Sequence, residues 1–261
     1  MKTQQRFEAE ELRRLSLSNL FSLWESVGKA NQALETHQGF TRIYHHGSSW
    51  PNRIWLTGEE GEKSTRAALE KAAGCLTRKD EPILLVLTEE QAALSRDWLK
   101  KQGLSLLFSQ TGMALELERG PAVPHEEPLE IVAVKTPDES SLWSQVASES
   151  FGYLVGPTIL HNVFDLPEIT LYLGFLPEGV AGTALLCTHH GVAGFHMAGT
   201  RPEIRRKGVA RRMMQHLIDE ARAKGLRYAT LQASAMGEPL YTQLGFRKQF
   251  SLRNYLYRGR C

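Results

Sequence analysis

The chain has 261 residues, 42% of them hydrophobic and 23% charged, with a formal net charge of +2 at neutral pH. This is an ordinary composition for a soluble protein with a sizeable core, and at about 150 residues per domain it favours two domains. So small a charge argues against nucleic acid or an anionic membrane as the general partner, and the scattered Cys75, Cys187 and Cys261 read as reduced thiols of a cytoplasmic protein.

The polar residues 1–14 lack the apolar core of a signal peptide, and no run of about 18 apolar residues follows, so neither secretion nor a membrane span is expected. Ser16 or Ser18 is then expected to cap a helix with Leu20, Leu23, Trp24 and Val27 as its apolar stripe. Segments 41–44 and 53–56 read as short strands around a loop at 47–51, and 62–76 reads as a helix. The continuous apolar run 81–87 suits a buried strand, 89–102 a helix that Gly103 ends, and 104–108 with 113–117 a closing strand pair. Three prolines in residues 119–128 mark a linker, which gives units 1–118 and 129–261.

In the second unit, 129–135 alternates as a strand, and Thr136 with Glu139 has the spacing of a capping box. The helix it opens has Trp143, Val146, Ala147 and Phe151 on its apolar face, and 157–164 suits a second, short helix. Segments 169–175, 180–188 and 192–199 read as a meander. Cys187, His189 and His190 crowd one hairpin tip without the spaced partners of a metal site, so no metal is expected.

The most informative stretch is 200–214. A strand precedes it, and Val209, Met213, Met214, Leu217, Ile218 and Ala221 recur at helical spacing after Gly208. A strand-to-helix turn exposes unpaired N–H groups at the positive end of the helix dipole, where an anion is favoured. Gly208 permits close approach, Ala210 keeps the next turn slim, and Arg205, Arg206, Lys207, Arg211 and Arg212 add charge suited to a pyrophosphate. A solvated basic helix start gives the same pattern. A nucleic-acid patch would need basic residues elsewhere to extend it, and a nucleotide triphosphatase would need a GxxxxGK[ST] run, which does not occur.

The run from Thr200 through Pro202, Arg205, Gly208 and Ala210 resembles V-x-P-x-x-[RQ]-x-x-G-x-[GA], the acyl-CoA-binding signature of the GNAT superfamily of N-acyltransferases, with Thr200 in place of the usual aliphatic residue. Tyr241-Thr-Gln-Leu-Gly245-Phe246 is similar to the Y-x-x-x-G-F that ends the superfamily's last helix. The resemblance covers roughly 129–261.

It implies an α/β (α+β) fold: a mixed, mostly antiparallel sheet flanked by helices. It also implies transfer of an acetyl or other acyl group from coenzyme A to an amine of a small molecule or peptide. Arg205, Arg206, Lys207, Gly208, Val209 and Ala210 would hold the pyrophosphate, and Ala198, Gly199 and Thr200 would pair with the pantetheine arm where two strands splay. Tyr241 would be the general acid, and His196, Glu149 or water the base. Phe151, Tyr153, His161 and Phe164 stand where the family places the acceptor.

The end of the first unit is similar to the end of such a domain, with Gly103 matching Gly245 and Leu99 standing where the tyrosine would be. Its turn Gly58-Glu-Glu-Gly61-Glu62 is acidic and would repel a pyrophosphate. The first unit therefore reads either as a smaller, degenerate GNAT-like domain serving as scaffold or substrate wall, or as an unrelated α/β domain. The expected partners are acetyl-CoA and an amine, with no nucleic acid or membrane, for a monomer or homodimer. A noncatalytic CoA-binding sensor is the competing reading.

Overall fold

The structure is a computed structural model that describes residues 2–58, 61–76, 82–117 and 129–259, with side chains from Ala9 onward. The expected linker lies outside these residues, as does Cys261. The first part of the chain runs α1 (Lys2–Ala30), β1 (Leu34–His37), β2 (Phe40–Ile43), β3 (Arg53–Leu56), α2 (Glu62–Ala72), β4 (Leu84–Thr88), α3 (Glu89–Leu94), α4 (Arg96–Lys101) and β5 (Leu104–Glu116). The second runs β6 (Glu130–Ala133), α5 (Pro137–Phe151), α6 (Pro157–His161), β7 (Ile169–Leu176), β8 (Gly179–His189), β9 (Val192–Thr200), α7 (Val209–Ala223), β10 (Tyr228–Ala233), α8 (Glu238–Gln243) and β11 (Arg247–Tyr257).

All eleven strands form one sheet in the order β1-β2-β3-β4-β11-β5-β10-β9-β8-β7-β6. Two pairs are parallel, β3 with β4 and β9 with β10, and the others are antiparallel. From β1 and from β7 onward the two parts repeat one topology, three antiparallel strands, a helix, a parallel strand, a helical segment and a last strand, and the second part adds β6 as a fourth antiparallel strand. Each last strand, however, lies in the other part: β5 pairs with β10, β11 pairs with β4, and the two pair with each other at the centre. Across the sheet, neighbouring strands therefore come from different sides of the boundary at 119–128 three times, at β4–β11, β11–β5 and β5–β10.

Alternation along the strands separates the cores. On one face α1, α5 and α6 cover a single cluster that spans both parts and includes Trp24, Trp55, Val86, Trp143 and Leu185. On the other face the neighbouring residues divide into two clusters, one under α7 around Met213, Leu217 and Phe246, the other under α2 to α4 around Leu69, Leu85 and Leu99. The shared cluster joins the two parts by burial of apolar side chains, the dominant stabilising term in such a fold.

Several local expectations hold, and some need correction. Thr136 Oγ1 accepts from the Glu139 N–H at 3.2 Å and Glu139 Oε2 accepts from the Thr136 N–H at 3.1 Å, which completes the capping box at α5. Ser16 is not a cap: α1 begins at Lys2 because its Gln-, Glu- and Arg-rich start favours helix, and Ser16 is buried against the sheet. Ser95 breaks the expected helix 89–102 into α3 and α4. The expected strand pair at 104–117 is one strand, β5. Gly112 is there for close approach and not for a turn, since a Cβ on it would lie 2.3 Å from Phe250 Cζ.

Candidate functional site

The turn between β9 and α7 starts with a short 3₁₀ segment at Pro202–Ile204, anchored by buried Ile204, and ends at Gly208. Gly208 is the N-cap of α7 at φ 73°, a conformation that favours glycine, and no side chain caps the helix. Arg205, Arg206, Lys207 and Gly208 are exposed, and the first helical bond recorded here runs from the Arg212 N–H to the Gly208 carbonyl at 3.2 Å. Among the described residues the N–H groups of 206–211 have no backbone acceptor, and they stand at the positive end of a fifteen-residue helix.

The basic side chains do not all converge there. The Arg205 guanidinium donates to the Ser150 carbonyl at 2.9 Å, Lys207 Nζ pairs with Glu178 at 2.9 Å, and Arg211 bridges to Gln243 of α8. Arg212 lies on the buried side of α7. What suits the turn to an anion is its backbone N–H groups and geometry more than the five cations.

Beside this turn the sheet opens. β9 and β10 pair in register from Val192 with Tyr228 to Phe195 with Leu231, and there the pairing stops. Met197 adopts φ 49° where the β8–β9 register shifts, which is a bulge that turns β9 away from its neighbour. Thr183 Oγ1 donates to the Met197 carbonyl at 3.0 Å and fixes the bulge on the β8 side. Ala198, Gly199 and Thr200 follow it with no partner strand on the β10 side, and Thr200 Oγ1 is buried without a hydrogen bond. Such an edge and an orphaned hydroxyl suit an extended polar chain.

Tyr241 sits in α8, beyond the end of β10. Its ring packs on the cluster under α7, 6.2 Å from the Phe246 ring and close to Gly237, and burial raises its phenol above the ordinary value. It shares that face of the sheet with Ala198.

His196 is 8% exposed. Asn19 of α1 donates from Nδ2 to the Cys187 and Val192 carbonyls at 3.0 and 3.2 Å, so its Oδ1 is an acceptor, and His196 Nε2 at 3.1 Å must carry the proton. Desolvation lowers the ring's pKa to about 4, against a weaker opposing hydrogen bond to Gln232. The ring is neutral and ties α1 to the second part of the sheet.

On the face of α1 and α5, opposite Tyr241, Phe151 and Tyr153 stack at 5.7 Å, and Tyr153 Oη lies 3.9 Å from Met197 Sδ. A Cβ on Gly199 would meet Phe151 Cε2 at 3.1 Å and Ser150 Cβ at 2.8 Å, so this aromatic pair borders the opening directly. The first part of the chain holds the segment in place: the Ser49 N–H donates to the Leu154 carbonyl at 2.8 Å, the Gly156 N–H to Ser48 Oγ at 2.8 Å, and Trp50 bridges Val155. His161 instead meets Ser141 on an exposed surface, and Phe164 packs into the shared core. Glu149 is ion-paired with Arg201 at 2.8 Å.

Arg53, which lies over the Trp24 ring, is close enough to Tyr153 for the two groups to interact electrostatically, and the sequence offers only a strand start and a helix stripe to announce Arg53 and Trp24. The equivalent parallel pair in the first part shows no bulge: β3 is four residues long and pairs with β4 at three of them, with buried Trp55 beneath. Leu99, the counterpart of Tyr241, is core. Of the acidic turn, Glu59 and Glu60 lie outside the described residues.

A cavity of about 470 Å³ lies elsewhere, between α3, α4 and the end of β11, lined by Arg96, Lys100, Arg253 and Arg258. Its lining also includes Glu89 and Tyr255, but it adjoins no splayed pair of parallel strands among the described residues. Among the described residues no His, Cys, Asp and Glu cluster suits a metal ion, and no helix is long and apolar enough to cross a membrane.

Residues 169–248 match the family model of the acetyltransferase (GNAT) domain. The chain is similar in fold to a GCN5-related N-acetyltransferase from Kribbella flavida, at 15% identity and a TM-score of 0.68, over 92% of this chain and 95% of that one. A GCN5-related N-acetyltransferase from Sphaerobacter thermophilus gives 13% identity, a TM-score of 0.61 and coverage of 83% and 76%, and a Drosophila protein 14%, 0.62 and 95% of both chains. No curated protein matches the chain in sequence. The chain carries a GNAT acetyltransferase domain, in a mixed, mostly antiparallel sheet whose layout extends over both parts.

Proposed function

We propose that the protein is an N-acyltransferase that uses acetyl-CoA as donor and an amine as acceptor. The observation that carries this reading is the opening between β9 and β10 beside the uncapped N-terminus of α7, with Tyr241 alongside. The thioester supplies the activated acyl group. Backbone N–H groups of 205–210, with Arg206 and its basic neighbours, receive the pyrophosphate, and Ala198 to Thr200 receive the pantetheine amides.

The amine, held near Phe151, Tyr153 and Met197, attacks the carbonyl carbon, the C–S bond breaks, and the thiolate takes a proton from the Tyr241 phenol. A phenol that burial holds above its ordinary value stays protonated until a thiolate, whose acid titrates near 8.5, forms beside it. Solvent removes the ammonium proton and restores the phenol.

His196 is then a positioning residue and not the base expected from the sequence. With its pKa at about 4, taking a proton from an α-amine near 8 would be uphill by about 5 kcal/mol. Glu149 is committed to Arg201. The first part of the chain is a degenerate GNAT-like repeat that has kept the strand order, closed the cofactor opening, and become a wall of the acceptor site.

Tyr241→Phe tests the chemistry. It should lower kcat by about 100-fold with little change in the KM for acetyl-CoA. An unchanged kcat would remove Tyr241 from the acid role, whereas acetyl-CoA binding without turnover of any amine by the wild type would favour a noncatalytic CoA-binding module.

A further inference from the structure

Arg53 opens β3 on the face that carries Trp24, Trp55 and the Phe151–Tyr153 pair. Its guanidinium lies 5.5 Å from the Trp24 ring centroid and donates to the Asn52 carbonyl at 3.4 Å. Other sheltered arginines of the chain have carboxylate partners: Arg42 has Glu35, Arg201 has Glu149 and Glu203, Arg222 has Asp219 and Arg253 has Glu89. Among the described residues Arg53 forms no ion pair. Its titratable neighbour is the Tyr153 phenol, neutral at working pH, and desolvation lowers the arginine's pKa.

A half-desolvated guanidinium without a counter-anion is costly, and the cost falls when an anion arrives. Its location says which anion would arrive. Arg53 neighbours Tyr153, Tyr153 touches Met197 at the bulge, and Phe151 touches Gly199 at the opening. The first part of the chain thus places one fixed positive charge, set over the Trp24 ring, within electrostatic reach of Tyr153, which touches the bulge at the strand edge where acyl transfer is assigned.

We propose that Arg53 anchors the carboxylate of the acceptor, so that the acceptor is an amino-carboxylate of the amino-acid type, with an apolar portion against Trp24, Phe151 and Met197. A planar guanidinium fork binds a carboxylate through two parallel bonds, which fixes the amine's direction as well as its affinity. This inference rests on the acyltransferase reading and names its substrate class.

The test is acetyl transfer from acetyl-CoA to amino acids and dipeptides, each beside its own carboxamide, with wild type, Arg53→Gln and Arg53→Lys. The expected result is that at least one acid is acetylated with kcat/KM ten-fold or more above its amide. Arg53→Gln should erase that preference through KM and leave the amide rates and the KM for acetyl-CoA unchanged, and Arg53→Lys should restore part of it. Amides or simple amines preferred over acids, or Arg53→Gln lowering acids and amides alike, would overturn the anchor and leave acyl transfer standing. Acetyl-CoA binding with no turnover of any acid would also overturn it, and absence of acetyl-CoA binding would remove both readings.

Discussion

Acidification should unseat His196, and the size of the effect follows from its burial. The ring titrates near 4 in the fold and near 6.5 in an unfolded chain, because burial disfavours the charged form. The folded pKa is the lower one, so the neutral ring's contribution is complete above pH 6.5, declines as pH falls, and is gone below about 4. Two and a half units correspond to roughly 3 kcal/mol in full, and to about 2–3 kcal/mol between pH 7.5 and 4.5.

Glu35 and Glu238, which Arg42 and Lys248 hold below the usual carboxylate value, and Glu90, held there by its own backbone N–H and then by Arg13, weaken the fold in the same direction on further acidification. The readout is therefore a difference. Urea unfolding at both pH values should show wild type losing about 2–3 kcal/mol more than His196→Gln, whose amide still donates to Asn19 Oδ1 and does not titrate. The same variant should keep the wild-type pH–rate profile. Equal losses in the two proteins would refute the buried, neutral ring, and loss of the acidic limb in the variant would return His196 to the role of base.

Two other outcomes follow from the sheet. Residues 129–261 expressed alone should fail to form a cooperative fold by near-ultraviolet dichroism, because β10 and β11 are separated by β5 from the first part; a native-like spectrum from that fragment would contradict the exchange of last strands. Gly112→Val should destabilise the chain by about 2 kcal/mol or more through overpacking against Phe250, read as a lower urea midpoint, and an unchanged midpoint would show that the ring is free to move aside.

Much of the site was legible because its determinants are local. A glycine at a helix start, a proline two residues after the strand and a tyrosine four residues before a helix-ending glycine all act over less than two turns. The capping box at Thr136 is legible for the same reason. What the sequence hid depends on long-range pairing. No local signal says that β5 belongs beside β10, or that Asn19 reaches His196 across 177 positions.

Gly112 resembles a turn residue until Phe250 is laid over it. Arg53 reads as the first residue of a short strand, and only the loop contacts at Ser48 to Trp50 bring its face to Tyr153. The basic run at 205–212 looked more concentrated than it is because spacing does not show that Arg212 turns inward and Lys207 meets Glu178.

The central claim is that one cofactor opening exists, at β9 and α7, and that the first part of the chain has none. Calorimetric titration of the full chain with acetyl-CoA, beside an Arg205→Glu, Gly208→Glu double variant, tests it most directly. One equivalent bound per chain with micromolar affinity, lost in the double variant, is the predicted result. No binding by the wild type, or two equivalents per chain, would contradict it.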